Sequence, residues 1–216
     1  MFRDGHGPAS LLRLALFAAG LAACKAKVPQ IEAPFVESFN QAEVAPVWHD
    51  TGGGYTLVEG KLSAKGARNH PLWLRKRLPR NAVIELDAVA QTPNGDIKVE
   101  VWGDGESFDP DGNSYIATGY VLIFGGWRNS LSIIARQNEH NDGVKAQRAD
   151  KRVEPGRSYH FTITRKDGTI DWKVDGEPFL SYADPQPLEG SGNEYFGFNN
   201  WETEVRFDNL SIRPLP

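Results

Sequence analysis

Cysteine is almost absent: the 216-residue chain carries one, Cys24. Without a second thiol no intramolecular disulfide can form, and no cysteine-based zinc cluster exists. Long apolar runs are missing too, since Leu14 to Ala23 is ten residues and a membrane-spanning helix needs about 20. No Gly-x-Ser-x-Gly elbow offers a serine nucleophile. No glycine-rich phosphate loop opens a helix. His140 has no second histidine nearby to make a zinc pair. Basic residues do not cluster, and 24 Lys and Arg are outnumbered by 28 Asp and Glu, which argues against nucleic acid as a partner. From Phe35 onward there is no convincing amphipathic helix.

What is present begins at the N-terminus. Arg3 and Arg13 precede the ten-residue apolar run, which leaves through small residues, the pattern of a cleaved export signal. The tetrad Leu21-Ala22-Ala23-Cys24 resembles the lipobox of bacterial lipoproteins at all four positions. That resemblance implies cleavage before Cys24, a signal over residues 1–23, and lipidation of Cys24, with diacylglyceryl on its sulfur and palmitate among the acyl chains. An exported lone thiol needs an explanation, and lipidation supplies one; the alternative is a cleaved signal with an incidental cysteine. The residue beside the lipid would be Lys25, not the aspartate that favours inner-membrane retention, so the expected location is the cell envelope, lipid-anchored, at the outer membrane or cell surface. Residues 24–34 read as a tether. Loss of Arg3, Asp4 and Arg13 leaves 22 basic and 27 acidic residues, a formal charge of −5.

The remaining 35–216 suits one domain, expected to be monomeric. Strand-like runs alternate with Gly, Asn, Asp and Pro turns: Tyr55 to Val58 and Lys61 to Ala64 around Glu59-Gly60, then Pro71 to Arg77, Ala82 to Gln91, Asp96 to Trp102, Tyr115 to Phe124, Ser130 to Gln137, Tyr159 to Arg165, Thr169 to Val174, Pro178 to Tyr182, Glu194 to Asn199 and Thr203 to Ile212. Short strands at this spacing with no helices between them predict an all-β fold, a two-sheet antiparallel jelly-roll sandwich.

The stretches Pro155 to Ile163, Ile170 to Glu177, Phe196-Gly197-Phe198 and Val205 to Ile212 resemble the closing strands of concanavalin A-like lectin and glucanase domains. Among these they are most similar to bacterial sandwich domains related to the 3-keto-disaccharide hydrolase family. The resemblance implies the fold and, in general terms, carbohydrate. Phe161, Trp172 and, just beyond the second stretch, Phe179 suit the core of a hairpin.

Three constellations are candidates for chemistry. Glu85 and Asp87, in Ile84 to Ala90, resemble the Glu-x-Asp-x-x-Glu strand of sandwich glucanases, but the second glutamate is replaced, with Val89 and Ala90 at its position. A retaining glycosidase needs two carboxyls about 5 to 5.5 Å apart; the other reading is a polar strand face. The loop Gly103 to Asn113 brings together Asp104, Glu106, Asp109, Asp111 and Asn113. Asp104, Asp109, Asp111 and Asn113 are candidate Ca²⁺ ligands, or plain turn formers. Last, Gly125-Gly126-Trp127-Arg128-Asn129 is followed after a strand by Arg136 to Asp142, an aromatic corner with polar neighbours. Either Trp127 is a sugar platform, or it caps the core while Arg136 pairs with Glu139 or Asp142.

The expected ligand site is therefore Trp102, Trp127, Asn129, Arg136, Glu139, His140, Asn200 and Trp201, at strand ends and corners where loops carry function. The catalytic candidates are Glu85, Asp87, Glu139 and His140. Two function classes follow: an envelope lipoprotein that binds glycan or another surface ligand, and a carbohydrate-active hydrolase or lyase on the same fold.

Overall fold

The structure, a computed structural model, describes residues 1, 28–109 and 117–216. Cys24, the export signal, Asp111 and Asn113 lie outside the described residues. The strands are β1 (Phe35–Glu37), β2 (Trp48–Asp50), β3 (Thr56–Val58), β4 (Lys61–Lys65), β5 (Leu72–Leu74), β6 (Ala82–Ala90), β7 (Ile97–Gly103) and β8 (Tyr120–Gly125). The second half adds β9 (Leu131–Arg136), β10 (Val144–Arg148), β11 (Ser158–Lys166), β12 (Thr169–Val174), β13 (Glu177–Ala183), β14 (Tyr195–Asn199) and β15 (Glu204–Pro214). They form two antiparallel sheets: β13-β12-β11-β6-β15-β4-β3 with β1 also on β15, and β10-β9-β8-β7-β14-β5-β2. The protein is an all-β sandwich. No helix among the described residues is long and apolar enough to cross a membrane.

Alternation builds the core. In β6, Ile84, Leu86, Ala88 and Ala90 are fully buried between the sheets, while Glu85, Asp87 and Val89 face outward and are only partly covered. The aromatic residues of the closing hairpins are core, as their pattern predicts: Phe161 meets Trp172 edge-on at 5.1 Å and Trp172 meets Phe179 at 4.7 Å. Three strands were not anticipated. β1 and β2 have three residues each, too few for a period to show, and β10 is a five-residue edge strand whose inward residues Val144, Ala146 and Arg148 are only half-buried.

The packed domain starts before Phe35, within the stretch expected to be tether. Ile31 is buried in the core, its N–H bonds to Arg77 O, and Arg77 donates to Pro29 O and Val28 O. Residues from Val28 are thus part of the domain, because Ile31 gains more by burial than by solvation.

One feature of the seven-stranded sheet positions the site. All seven residues of β7 are buried. Ile97, Val99 and Val101 point into the main core. Lys98 and Glu100 therefore lie on the opposite, outer face, beside their partners Ile123 and Val121 on β8. Val121, Ile123, Ile133 and Ala135 form a second small apolar cluster there. Loops close over this face: Glu100 Oε1 accepts the amides of Thr118 and Gly119 at 2.9 and 3.0 Å.

A candidate ligand cleft on the outer face of the seven-stranded sheet

The connection from β8 to β9 turns the wrong way for L-residues. Trp127 (φ 50, ψ 56), Arg128 (φ 58, ψ 47) and Asn129 (φ 61) form one left-handed turn, entered through Gly125 at φ 69. Each such residue costs about 1–2 kcal/mol, so something outside must hold the turn. Asn129 does most of it: its Oδ1 accepts Val153 N–H at 2.8 Å, and its Nδ2 donates to Val153 O at 2.7 Å and Pro93 O at 3.0 Å. Gly95 fits beneath because it lacks a side chain; a Cβ there would stand 2.5 Å from Gly125 O. The result is that Trp127 leaves the core and stands 41% exposed, meeting His140 edge-on at 5.8 Å.

Facing this corner is the β14–β15 loop. Trp201 N–H bonds to Asp96 Oδ2, Arg68 stacks over the Trp201 ring at 5.6 Å, and Thr203 Oγ1 donates to Gly95 O at 3.0 Å. Between the two loops opens a cleft of about 360 Å³, lined by Trp127, Arg128, His140, Trp201, Glu202 and, deeper, Asn69, Asp96, Lys98 and Glu139. That volume is within the range of small-ligand sites.

Its floor is charged. Lys98 Nζ lies 2.9 Å from Glu139 Oε2 and donates to Asn69 Oδ1 at 2.8 Å. His140 Nε2 is 3.7 Å from Glu139 Oε1. Burial pushes the Lys98 ammonium down, but Glu139, Asp96 and Glu100 outweigh it and leave it above its ordinary value. Asp96 goes the other way from most paired carboxylates: burial lifts its carboxyl above the usual range, and Lys98 and the Trp201 amide offset only part of that.

Of the residues expected at the ligand site, Trp127, Glu139, His140 and Trp201 come together in this cleft. The others do not. Trp102 is 1% exposed, because β14 skips from Val101 to Gly103 and the resulting bulge (φ 53) turns its indole inward, where Nε1–H bonds to Pro79 O at 3.0 Å. Asn129 is spent on holding the turn. Arg136 pairs with neither Glu139 nor Asp142; its Nε binds Asp184 Oδ2 at 2.9 Å and its Nη2 binds Gln186 O at 3.0 Å. Asn200 is fully buried and ties Ala67 N–H, Ala64 O and Thr203 O.

Glu85 and Asp87 belong to the other sheet, on its open outer face. Asp87 accepts from Asn209 Nδ2 at 2.8 Å, His160 Nδ1 lies 2.8 Å from its other oxygen, and Glu85 is 3.7 Å from His160 Nε2. Both carboxyls are partly exposed to solvent. In the acidic loop, Asp104 accepts the amides of Glu106 and Ser107 and the Ser107 hydroxyl, so its oxygens shape the turn. Asp109 is buried, and its N–H bonds to Asn69 O. Among the described residues no three His, Cys, Asp or Glu side chains group as a metal site.

Asn69, Asn94, Asp96, Lys98, Arg128, Glu202 and Thr203 were missed. Lys98 reads in sequence as the wet half of an alternating strand, and only the loops folded over it show otherwise. Asp96 had a faint signal, since it follows Asn94-Gly95 and takes φ 63 itself.

A protein-family model described as farnesoic acid O-methyl transferase matches residues 108–211, just under half of the chain. No curated protein is significantly similar in sequence. Solved structures share the fold. A Bacillus subtilis protein of unknown function with a galectin-like fold has a TM-score of 0.62 at 14% identity, over 83% of this chain and 94% of its own. The carbohydrate binding module CBM66 from Bacillus subtilis has a TM-score of 0.60 at 14% identity, over 78% and 96%. A putative glycosyl hydrolase from Parabacteroides distasonis has a TM-score of 0.57 at 15% identity, over 84% and 94%. At these identities the likeness is one of fold.

Proposed function

We propose that this protein is an exported lipoprotein, acylated on Cys24, whose sandwich binds carbohydrate in the cleft between Trp127 and Trp201. The observation that carries the reading is the exposed Trp127, held in a costly left-handed turn at the mouth of a cleft with a polar floor. Strain of this kind persists where surrounding structure maintains it, and it concentrates at ligand sites. An indole face supports a sugar ring by apolar contact, while Asn69, Arg128 and Glu202 supply donors and acceptors for hydroxyls. A carbohydrate binding module and a putative glycosyl hydrolase among the fold neighbours agree with a sugar ligand. The farnesoic acid O-methyl transferase match covers Trp127, Glu139, His140 and Trp201 but not Asn69, Asp96 or Lys98, so it takes in only part of the cleft.

Affinity electrophoresis through gels containing soluble polysaccharides, alongside a glycan array, tests the binding. The chain should be retained by at least one glycan, and Trp127→Ala should weaken retention by about tenfold or more, equivalent to about 1.4 kcal/mol. Its melting temperature should move little, because the ring is exposed. Unfolding of the variant, or retention equal to the parent, would remove Trp127 from the site. Anchoring is tested by fractionation: the parent should partition into detergent and Cys24→Ala should not.

A further inference from the structure

The inward residues of β11 run Tyr159, Phe161, Ile163 and then Arg165. The last carries a charge into the end of the core, where only 1% of it reaches solvent. Its guanidinium lies over the Trp102 ring at 4.9 Å and the Tyr120 ring at 5.8 Å, which holds its plane but leaves its donors unmet. Nε donates to Asp167 O at 3.2 Å, whereas Nη2 makes no hydrogen bond with any described residue. Glu189 Oε1 stands 3.6 Å from Nη2, too far to accept from it, and is held by Arg80 Nε at 2.8 Å. A buried charged donor left unmatched is strongly unfavourable. Other arginines of this chain avoid that state although they are less buried. Arg136 reaches Asp184, Gln137 and Gln186, and Arg148 reaches Asp150 and Phe179 O. Burial holds the Arg165 guanidinium below its ordinary value; Arg80 adds to the effect, and Glu189 and Asp184 offset only part of it.

Arg165 and Trp102 line a cavity of about 150 Å³, together with Arg80, Glu189 and Asn193. That is below the size of whole-metabolite pockets and leaves room for one small charged group. None of its lining residues belongs to the Trp127 cleft. Arg80 and Glu189 are well exposed, so they form its rim. The Glu189 carboxylate stands between the two guanidinium groups, which shows that a planar carboxylate fits there; the arginine fork matches that shape. We infer that this cavity is a second binding site, which takes the carboxylate of a small molecule between Arg165 and Arg80 in place of the Glu189 carboxylate. Glu189 then turns to solvent, and the incoming oxygen accepts from Arg165 Nη2. Arg80 keeps Asp167 as a neighbour at 3.9 Å. Trp102 and Tyr120 act as positioning residues, since they hold the guanidinium plane. The inference does not rest on the carbohydrate reading.

The test titrates acetate, succinate, glucuronate, sulfate and phosphate into the parent, Glu189→Gln, Arg80→Ala and Arg165→Met. Calorimetry and the melting temperature are followed, with sodium chloride at equal ionic strength as reference. Support is saturable binding of at least one carboxylate, which also raises the melting temperature. Glu189→Gln should tighten it by about tenfold, because a like-charged competitor is gone, and Arg80→Ala should weaken it by about fivefold or more. Both replaced side chains are exposed, so both variants should fold. Arg165→Met should abolish binding; where it does not fold, the other two variants decide. No saturation in the parent or in Glu189→Gln overturns the inference. Binding that Glu189→Gln and Arg80→Ala leave unchanged overturns it too, since the ligand then sits elsewhere. Saturation by sulfate or phosphate but by no carboxylate overturns the assigned ligand class. An Arg165→Met chain that melts above the parent and still binds marks Arg165 as core filling, and the site falls. Glycan retention in gels is a separate readout, so failure here leaves the Trp127 cleft standing.

Discussion

Arg136 does not take the role that residue type alone assigns it. An arginine beside an aromatic corner reads as a sugar contact, whereas Arg136 is a bolt: with Tyr120 it holds Asp184 and, through Gln186 O, the loop after β13. Arg136→Ala should cost about 1.5–3 kcal/mol, the usual worth of hydrogen bonds to a charged group, with glycan retention unchanged. A denaturant melt and the gel assay check both halves. Tyr120 responds to the same carboxylate; burial first, then its bond to Asp184, push the phenol up to about 12, so it stays a donor throughout the physiological range.

At the scale of the element, the β8–β9 turn shows how one side chain sets the position of another. Gly125 and Gly126 let the strand end sharply, but Trp127, Arg128 and Asn129 all stand at positive φ, and local propensity opposes that. The Asn129 amide opposes it in return with three hydrogen bonds. Asn129→Ala should destabilise the protein by about 3 kcal/mol, near 1 per bond, and weaken glycan retention because Trp127 loses its seat. Asn129→Gly should be milder by about 1 kcal/mol, since glycine takes positive φ without strain. A smaller loss in Asn129→Ala than in Asn129→Gly would show that the turn is not strained.

Over the whole molecule, the sandwich has two buried layers, one between the sheets and one beneath the loops on the outer face of the seven-stranded sheet. The first sets stability, and the second places the cleft. The N-terminal limit of the first is testable. A chain starting at Ala33 loses the burial of Ile31 and the three hydrogen bonds that Val28, Pro29 and Ile31 make with Arg77, so it should be about 3–6 kcal/mol less stable than one starting at Val28. Equal melting of the two would show that 28–31 is tether after all.

The strands of the core were legible because a period of two is a local property: Ile84, Leu86, Ala88 and Ala90 declare their face without reference to anything else in the chain. So were the closing hairpins and the Gly-Gly-Trp corner. Half of the cleft was legible for the same reason, since Trp127, Glu139, His140 and Trp201 stand where turns break the pattern. Asp96 and Lys98 were not, because the Ile97-Lys98-Val99-Glu100-Val101 alternation describes a half-wet strand equally well. Only the approach of Asn69, Glu139 and Trp201 from loops distant in sequence takes that face out of water and turns ordinary surface charges into a buried cluster. Trp102 fails in the opposite sense, moved from surface to core by one extra residue in the ladder. Period and turn chemistry are carried by neighbours in the chain; burial of a charge is decided by whatever the fold brings over it.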